Sequence, residues 1–133
     1  MTRDARAILR FSLRGLGAGT TLFGLTPLIA PGLFARIFGL PYDARRPAAA
    51  MAVRSVGARD FVSGLAVLAT AGNPARNRPW LLMRLAADGG DAAITWLALR
   101  GEPRNRRLQM LGLMAGGAAL ADVALLALSV VVK

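Results

Sequence analysis

The chain has 133 residues, 55% of them hydrophobic and 18% charged, with 17 basic residues against 7 acidic ones. This length fits one domain and excludes a large multidomain enzyme, while the apolar fraction excludes a disordered chain. The mean hydropathy of +0.48 is above that of ordinary soluble domains and indicates that lipid is part of the solvent.

The first and last apolar runs predict helices that cross a membrane. Residues 15–35 contain no charged side chain, and residues 108–132 contain only Asp122. A hydrocarbon core about 30 Å thick requires about 20 helical residues, so both runs are long enough. We expect the first span over residues 13–31 and the fourth over residues 108–132.

A short helix is expected at the membrane interface directly after the first span. That span should end near Pro27 or Pro31, because proline interrupts the helical hydrogen-bond pattern. The following segment, residues 31–41, has apolar side chains at helical spacing beside one arginine, as interfacial helices do. These side chains are Leu33, Phe34, Ile37 and Phe38, with Arg36.

Two further runs have the length of a span but contain charges. They cover residues 48–71 and 79–99. Pro47 and Pro79 stand where a first helical residue would lie, a position that tolerates proline because its missing N–H has no partner there. Breaker segments follow the two runs, and these are Gly72-Asn73-Pro74 and Gly101-Glu102-Pro103.

The predicted fold class is all-α, a four-helix transmembrane bundle that forms a single integral membrane domain over residues 1–133. The net charge of +10 would suit nucleic acid, but most arginines lie in short groups that flank the apolar runs, where anionic headgroups attract them. We therefore expect a membrane location, the bacterial cytoplasmic membrane, and no nucleic-acid partner. Seven basic residues fall on each side of the predicted bundle, so the positive-inside rule favours neither orientation.

Charged side chains inside the spans form the candidate polar cluster. Arg84, Asp88 and Asp91 lie on one stripe of the third span, and this stripe must face protein or water rather than lipid. The second and fourth spans supply further charges. The full cluster is Arg54, Arg59, Asp60, Arg84, Asp88, Asp91 and Asp122. With Arg14 at the margin of the first span, four arginines stand against four aspartates.

These charges predict a buried Arg/Asp network that links the second, third and fourth spans. Arg84 and Asp88 can pair across one helical turn. Asp91 then needs a partner from another helix. We expect Arg54 or Arg59, because a guanidinium binds a carboxylate through two parallel hydrogen bonds and keeps its proton.

Glycines four residues apart indicate close helix contacts in two of the spans. The pairs are Gly15 with Gly19 and Gly112 with Gly116. Such spacing lets two helix backbones approach each other in a membrane.

Three segments resemble a family of small four-span membrane proteins classed as domains of unknown function. They are Phe34-Ala35-Arg36-Ile37-Phe38-Gly39-Leu40-Pro41, Arg54-Ser55-Val56-Gly57-Ala58-Arg59-Asp60 and Asp91-Ala92-Ala93. The similarity extends over most of the chain. It implies the four-helix membrane architecture and no particular activity, and the recurrent positions of the family would correspond to Arg54, the segment from Gly57 to Asp60, and Asp91.

The activity is unassigned, and three roles suit the charged spans. We favour a clamp that fixes the bundle, because helices in lipid lack a hydrophobic drive to associate. The first alternative is transport of protons or small solutes along the aspartates. The second is an isomerase or cyclase whose carboxyl groups move protons on an apolar, lipid-like substrate. A non-enzymatic role is favoured over an enzymatic one.

No cofactor and no metal are expected. Cysteine and histidine are absent, which excludes disulfides, thiolate chemistry, imidazole catalysis and the usual zinc sites. Asp88-Gly89-Gly90-Asp91 is similar to the paired aspartates that hold magnesium in membrane transferases, but those enzymes need a second acidic motif and a longer chain. The expected partner is a bilayer with anionic headgroups, and a second copy of the chain and an apolar small-molecule ligand stay open.

Overall fold

The computed structural model describes residues 3–40, 43 and 46–131, and within them the chain is all-α without a strand. Its helices are α1 (Arg3–Ile29), α2 (Pro31–Phe38), α3 (Pro47–Thr70), α4 (Pro74–Leu99) and α5 (Arg106–Val131). The short helix predicted after the first span is α2. Pro41, at the end of that predicted segment, and residue 132, at the end of the predicted fourth span, lie outside the described residues.

Two of the long helices begin at a proline, but only one of these two prolines is the one predicted. Pro47 is the first residue of α3, as predicted. Pro79 is not the first residue of α4, because the side chain of Asn73 accepts a hydrogen bond from the backbone N–H of Arg76 at 3.2 Å and thereby caps an earlier start. The helix begins at Pro74, and Pro79 lies inside it.

The junction of α1 and α2 is a sharp bend held by aromatic rings. α1 continues through Pro27 to Ile29, so proline does not end this helix before its last turn. α2 then leaves α1 at an angle of 109°. Phe34 and Phe38 of α2 pack against Phe23 of α1, with ring centroids 5.6 Å and 6.1 Å apart. These edge-to-face contacts hold α2 across the end of the bundle.

Four buried glycines bring α1 and α3 into backbone contact. A Cβ atom added to Gly17 or Gly24 would lie 2.7 Å or 2.5 Å, respectively, from a backbone nitrogen of α3. Gly57 and Gly64 lie on the α3 side of the same two contacts, where an added Cβ atom would likewise be too close to the backbone of α1. Because no larger residue fits at these positions, the antiparallel pair α1/α3 has one defined register.

α4 and α5 form the second pair, and the two pairs meet most closely at the end that holds the α3–α4 turn. An apolar cluster fills this end and consists of Leu9, Leu13, Val67, Ala71 and Leu81. Contacts between the pairs are fewer than those within each pair. A space is left open between α1/α3 and α4/α5.

Two polar side chains fasten α4 to its neighbours beside the apolar cluster. Asn77 is fully buried and donates from Nδ2 to the Val67 carbonyl at 2.9 Å and to the Thr70 hydroxyl at 2.8 Å. Arg78 donates from Nη2 to the carbonyl of Ser129 on α5 at 2.6 Å. Buried hydrogen bonds of this kind fix helix positions, because a separated buried donor or acceptor would be left unsatisfied.

One helix of the described chain, α5, is long and apolar enough to cross a membrane by itself. α1 and α2 meet the same criterion of length and composition only together, as a bent pair. α3 and α4 do not meet it, and the charges in their apolar stretches are Arg54, Arg59, Asp60, Arg84, Asp88 and Asp91. The all-α fold is confirmed, and the four-span arrangement is not.

Replacing Gly24 by alanine tests the backbone contact between α1 and α3. We expect Gly24→Ala to lower the free energy of unfolding by about 1–3 kcal/mol, because the added methyl group forces the two helices apart. The control Gly116→Ala adds the same methyl group where no heavy atom lies within 4 Å. It should leave stability unchanged or raise it by up to ~1 kcal/mol. Denaturant unfolding in a mild detergent, followed by circular dichroism, measures both, and equal stabilities would contradict the close packing.

Candidate functional site

An Arg/Asp network joins α3, α4 and α5 one turn beyond the apolar cluster. It contains six of the seven residues of the predicted polar cluster, and in it each of two arginines bridges two aspartates. One half consists of Arg59, Asp60 and Asp91, and the other of Arg84, Asp88 and Asp122.

The half around Arg59 joins α3 to α4 and is partly open. Arg59 donates from Nη2 to Asp91 Oδ2 at 2.7 Å and from Nη1 to Asp91 Oδ1 at 3.2 Å, which is the predicted two-pronged geometry. Its Nε and Nη2 also donate to Asp60 Oδ1, at 3.0 Å and 2.9 Å. The side chains of Arg59 and Asp91 are 31% and 39% exposed, so solvent or a ligand can reach this half.

The half around Arg84 joins α4 to α5 and is buried. Arg84 donates from Nη2 to Asp88 Oδ2 at 2.7 Å, the pairing predicted across one turn, and from Nε to Asp122 Oδ1 at 3.2 Å. Arg84 is 4% exposed, and Asp122 is fully buried. Oδ2 of Asp122 receives no hydrogen bond from the described residues. Separating α4 from α5 would leave these charges without compensation, so the pair holds the two helices together.

Arg54, the seventh predicted residue, lies outside the network. It is exposed and donates from Nε to the carbonyl of Leu28 at 3.3 Å, close to the end of α1. Carbonyls in the last turn of a helix lack a donor within that helix, and Arg54 supplies one. Of the two arginines expected as partners of Asp91, Arg59 is the one that binds it, and Arg54 binds the Leu28 carbonyl instead.

The network is not balanced in charge. Arg14 is exposed on α1 and, within the described residues, forms no ion pair with the four carboxylates. Because Arg54 is also elsewhere, two guanidiniums face four carboxylates, which gives the network a formal charge of −2. The four arginines and four aspartates counted in the predicted spans thus do not all meet in the network.

A cavity of about 650 Å³ adjoins the network, between α1/α3 and α4/α5, and residues of all five helices line it. Its polar wall is formed by three carboxylates and one guanidinium, those of Asp60, Asp88, Asp91 and Arg84. The rest of the lining is mainly apolar and includes Leu16, Phe23, Phe34, Leu111 and Met114. The network therefore forms one wall of a mainly apolar space that is partly open.

Two glycines of α1 leave room in this cavity and do not form a close contact between helices. Gly15 and Gly19 line it, and a Cβ atom added to either would meet no atom within 4 Å. The close contact predicted for this pair is wrong. In the other predicted pair, Gly112 packs against Trp96, with 3.3 Å from an added Cβ to the indole ring, whereas Gly116 faces open space.

The uncharged lining could not be predicted from the sequence. Phe23 and Met114 belong to no motif, and nothing in the sequence separates them from apolar side chains that face outward. The polar wall was predictable, because the spacing of Arg84, Asp88 and Asp91 places them on one helical stripe.

Chemically, the site combines hydrogen-bond acceptors with apolar walls. Carboxylate oxygens accept hydrogen bonds, attract cations and can accept protons. Within the described ranges, no three acidic side chains are grouped so that they could hold a metal ion. The arrangement suits a molecule with an apolar body and one polar end.

A family model described as "Domain of unknown function (DUF4267)" matches residues 17–131. The resemblance to an uncharacterised family is thereby confirmed, and the match includes the whole network and most of the cavity lining. No curated protein and no solved structure matches the chain.

Replacing Arg84 by methionine tests the clamp between α4 and α5. We expect Arg84→Met to lower the free energy of unfolding by about 3–5 kcal/mol, because it leaves Asp88 and Asp122 buried without their shared cation. The matched control Arg54→Met removes an exposed guanidinium and should cost less than ~1 kcal/mol. Thermal unfolding in detergent compares the two variants. A loss at Arg84 no larger than that at Arg54 would contradict the clamp.

Proposed function

The chain belongs to the DUF4267 family, a domain of unknown function, and we propose that it is an integral membrane protein that binds an amphiphilic small molecule in the cavity beside the Arg/Asp network. The observation that carries this proposal is the division of the cavity lining into one charged wall and otherwise mainly apolar walls. A ligand of matching polarity would place its polar end at the carboxylates and its apolar body against the remaining walls.

The distribution of burial supports a membrane location. Asp122 and Asn77 are fully buried, whereas Phe11 and Leu120 are 80% and 72% exposed. A protein in water buries large apolar side chains and leaves most charged ones outside. The most apolar stretch of α5 is only 11% buried, unlike the core helix of a soluble protein. Lipid around the bundle would account for both features.

The lengths of the helices support four crossings. α1, α3, α4 and α5 have 27, 24, 26 and 26 residues. At a rise of 1.5 Å per residue these helices are about 36–40 Å long, which exceeds a hydrocarbon core of about 30 Å. The charges of α3 and α4 lower their hydropathy, but pairing within the bundle reduces the cost of taking those charges out of water. Arginines near the helix ends would then lie among anionic headgroups.

The two halves of the network suit two roles. The buried pair of Arg84 and Asp122 suits the clamp, because it joins α4 to α5. Asp60, Asp88 and Asp91 reach the cavity and offer hydrogen-bond acceptors to a ligand. A volume of about 650 Å³ lies within the range of ordinary small-molecule sites, about 300–1,000 Å³. The ion pairs that join the helices thus also hold the charged wall of the cavity in place.

Extraction with alkaline carbonate tests the membrane location. We expect the protein to stay in the membrane pellet, because carbonate releases proteins held by charge and leaves those held by apolar contact with lipid. A peripheral protein added to the same membranes serves as the control and should be released. Recovery of this chain in the supernatant would contradict the membrane location.

Filling the cavity tests the binding role. Gly19→Phe places a ring where an added Cβ meets no atom within 4 Å, so it should occupy the cavity without disturbing the network. The matched control Gly117→Phe adds the same ring at an equally open position that does not line the cavity. We expect farnesol, a neutral amphiphile, to raise the melting temperature of the wild type and of Gly117→Phe but not of Gly19→Phe.

The expected stabilisation is large enough to measure. A ligand present at about 100 times its dissociation constant stabilises the folded state by ~2.7 kcal/mol. Equal shifts in both phenylalanine variants would show that farnesol acts through the detergent or the outer surface. No shift in any variant, together with no amphiphile in organic extracts of the purified wild type, would contradict the binding role.

A further inference from the structure

The network contains fewer guanidiniums than carboxylates. Arg84 is shared between Asp88 and Asp122, and both of these residues lie in the interior. Arg59 is likewise shared between Asp60 and Asp91. Each guanidinium therefore compensates one of its two partners, and the formal charge of −2 remains beside an apolar space.

An uncompensated charge is costly in such surroundings. Transfer of an isolated ion into a medium of low dielectric constant is opposed by several kcal/mol even after relaxation of the protein. Asp60, Asp88 and Asp91 bear this cost at the cavity wall, because one guanidinium, that of Arg84, lines the wall beside these three carboxylates. A positive charge in the adjoining cavity would offset the cost, because opposite charges attract each other more strongly beside apolar walls than in bulk water.

We propose that the cavity binds an organic cation with an apolar body, its positive group lying at the wall formed by Asp60, Asp88 and Asp91. This inference rests on the proposed binding function and specifies the class of ligand. A compact metal ion suits the site less well, since no three acidic side chains of the described ranges are grouped to hold one. The mainly apolar lining favours an ion that carries its own apolar surface.

The preference for a cation is opposite to the charge of the whole chain. The protein has a net charge of +10, so its long-range field attracts anions and repels cations. Selectivity for a cation would therefore arise from local groups of the site, foremost the carboxylates of its wall. A measured preference for the cation would point to the cavity rather than to the surface.

Two probes of matched size and shape separate charge from apolar contact. Tetraphenylphosphonium and tetraphenylborate differ in the sign of their charge and little in shape. We expect equilibrium dialysis with the full-length protein, in an uncharged detergent, to give a dissociation constant about ten-fold lower for tetraphenylphosphonium. The variant Gly19→Phe should abolish binding of this cation, whereas Gly117→Phe should bind it as the wild type does.

Single carboxylates are tested by isosteric substitutions. Asp91→Asn keeps an oxygen that can accept from Arg59 and removes one negative charge, so the fold should survive and the affinity for tetraphenylphosphonium should fall about five-fold or more. Asp4→Asn removes the same charge from an exposed position at the start of α1 and should leave the affinity unchanged. Circular dichroism establishes that each variant is folded.

The outcomes distinguish this inference from the function on which it rests. Equal affinity for the two probes, preference for tetraphenylborate, or cation binding that survives both Gly19→Phe and Asp91→Asn would overturn the cation site. If farnesol still stabilises the protein through the cavity in those cases, the proposed binding function stands. If neither the charged probes nor farnesol binds, both are overturned.

Discussion

The structure depends on two guanidiniums that must each serve two carboxylates. Arg59 connects α3 to α4, and Arg84 connects α4 to α5. The two arginines thus join three helices, and α4 takes part in both connections. Contacts between the two helix pairs are fewer than those within each pair. The ion pair of Arg59 with Asp91 therefore helps to join the two pairs, and that of Arg84 with Asp122 joins α4 to α5 within the second pair.

The same constraint accounts for the cavity. Backbone contact through glycines draws α1 onto α3, and α5 packs closely on α4, so most of the close packing is used within the pairs. The space left between the pairs has a charged wall because Asp60, Arg84, Asp88 and Asp91 line it. The clamp and the proposed binding site thus share residues of one network.

Much of the polar wall was predictable from the sequence, and the charge of the network was not. The spacing of Arg84, Asp88 and Asp91 places them on one face of α4. Arg59, which directly precedes Asp60 in the chain, was one of the two partners expected for Asp91. Whether Arg54 would join them depends on where α1 ends, since the carbonyl of Leu28 binds this arginine. That end depends on tertiary contacts of α2, which local sequence patterns do not contain. The glycine contacts failed for a similar reason, because the spacing of two glycines does not identify the helix that faces them.

The glycines of α1 and α3 also constrain how the chain can vary in length. Gly17 and Gly24 are separated by the same number of residues as Gly57 and Gly64, and the two helices run in opposite directions. One residue inserted or deleted between either pair would rotate the next glycine by about 100° around its helix and place a side chain in the contact. Natural variants of this chain should therefore differ in length in the α4–α5 connection and keep the distance between these glycines unchanged.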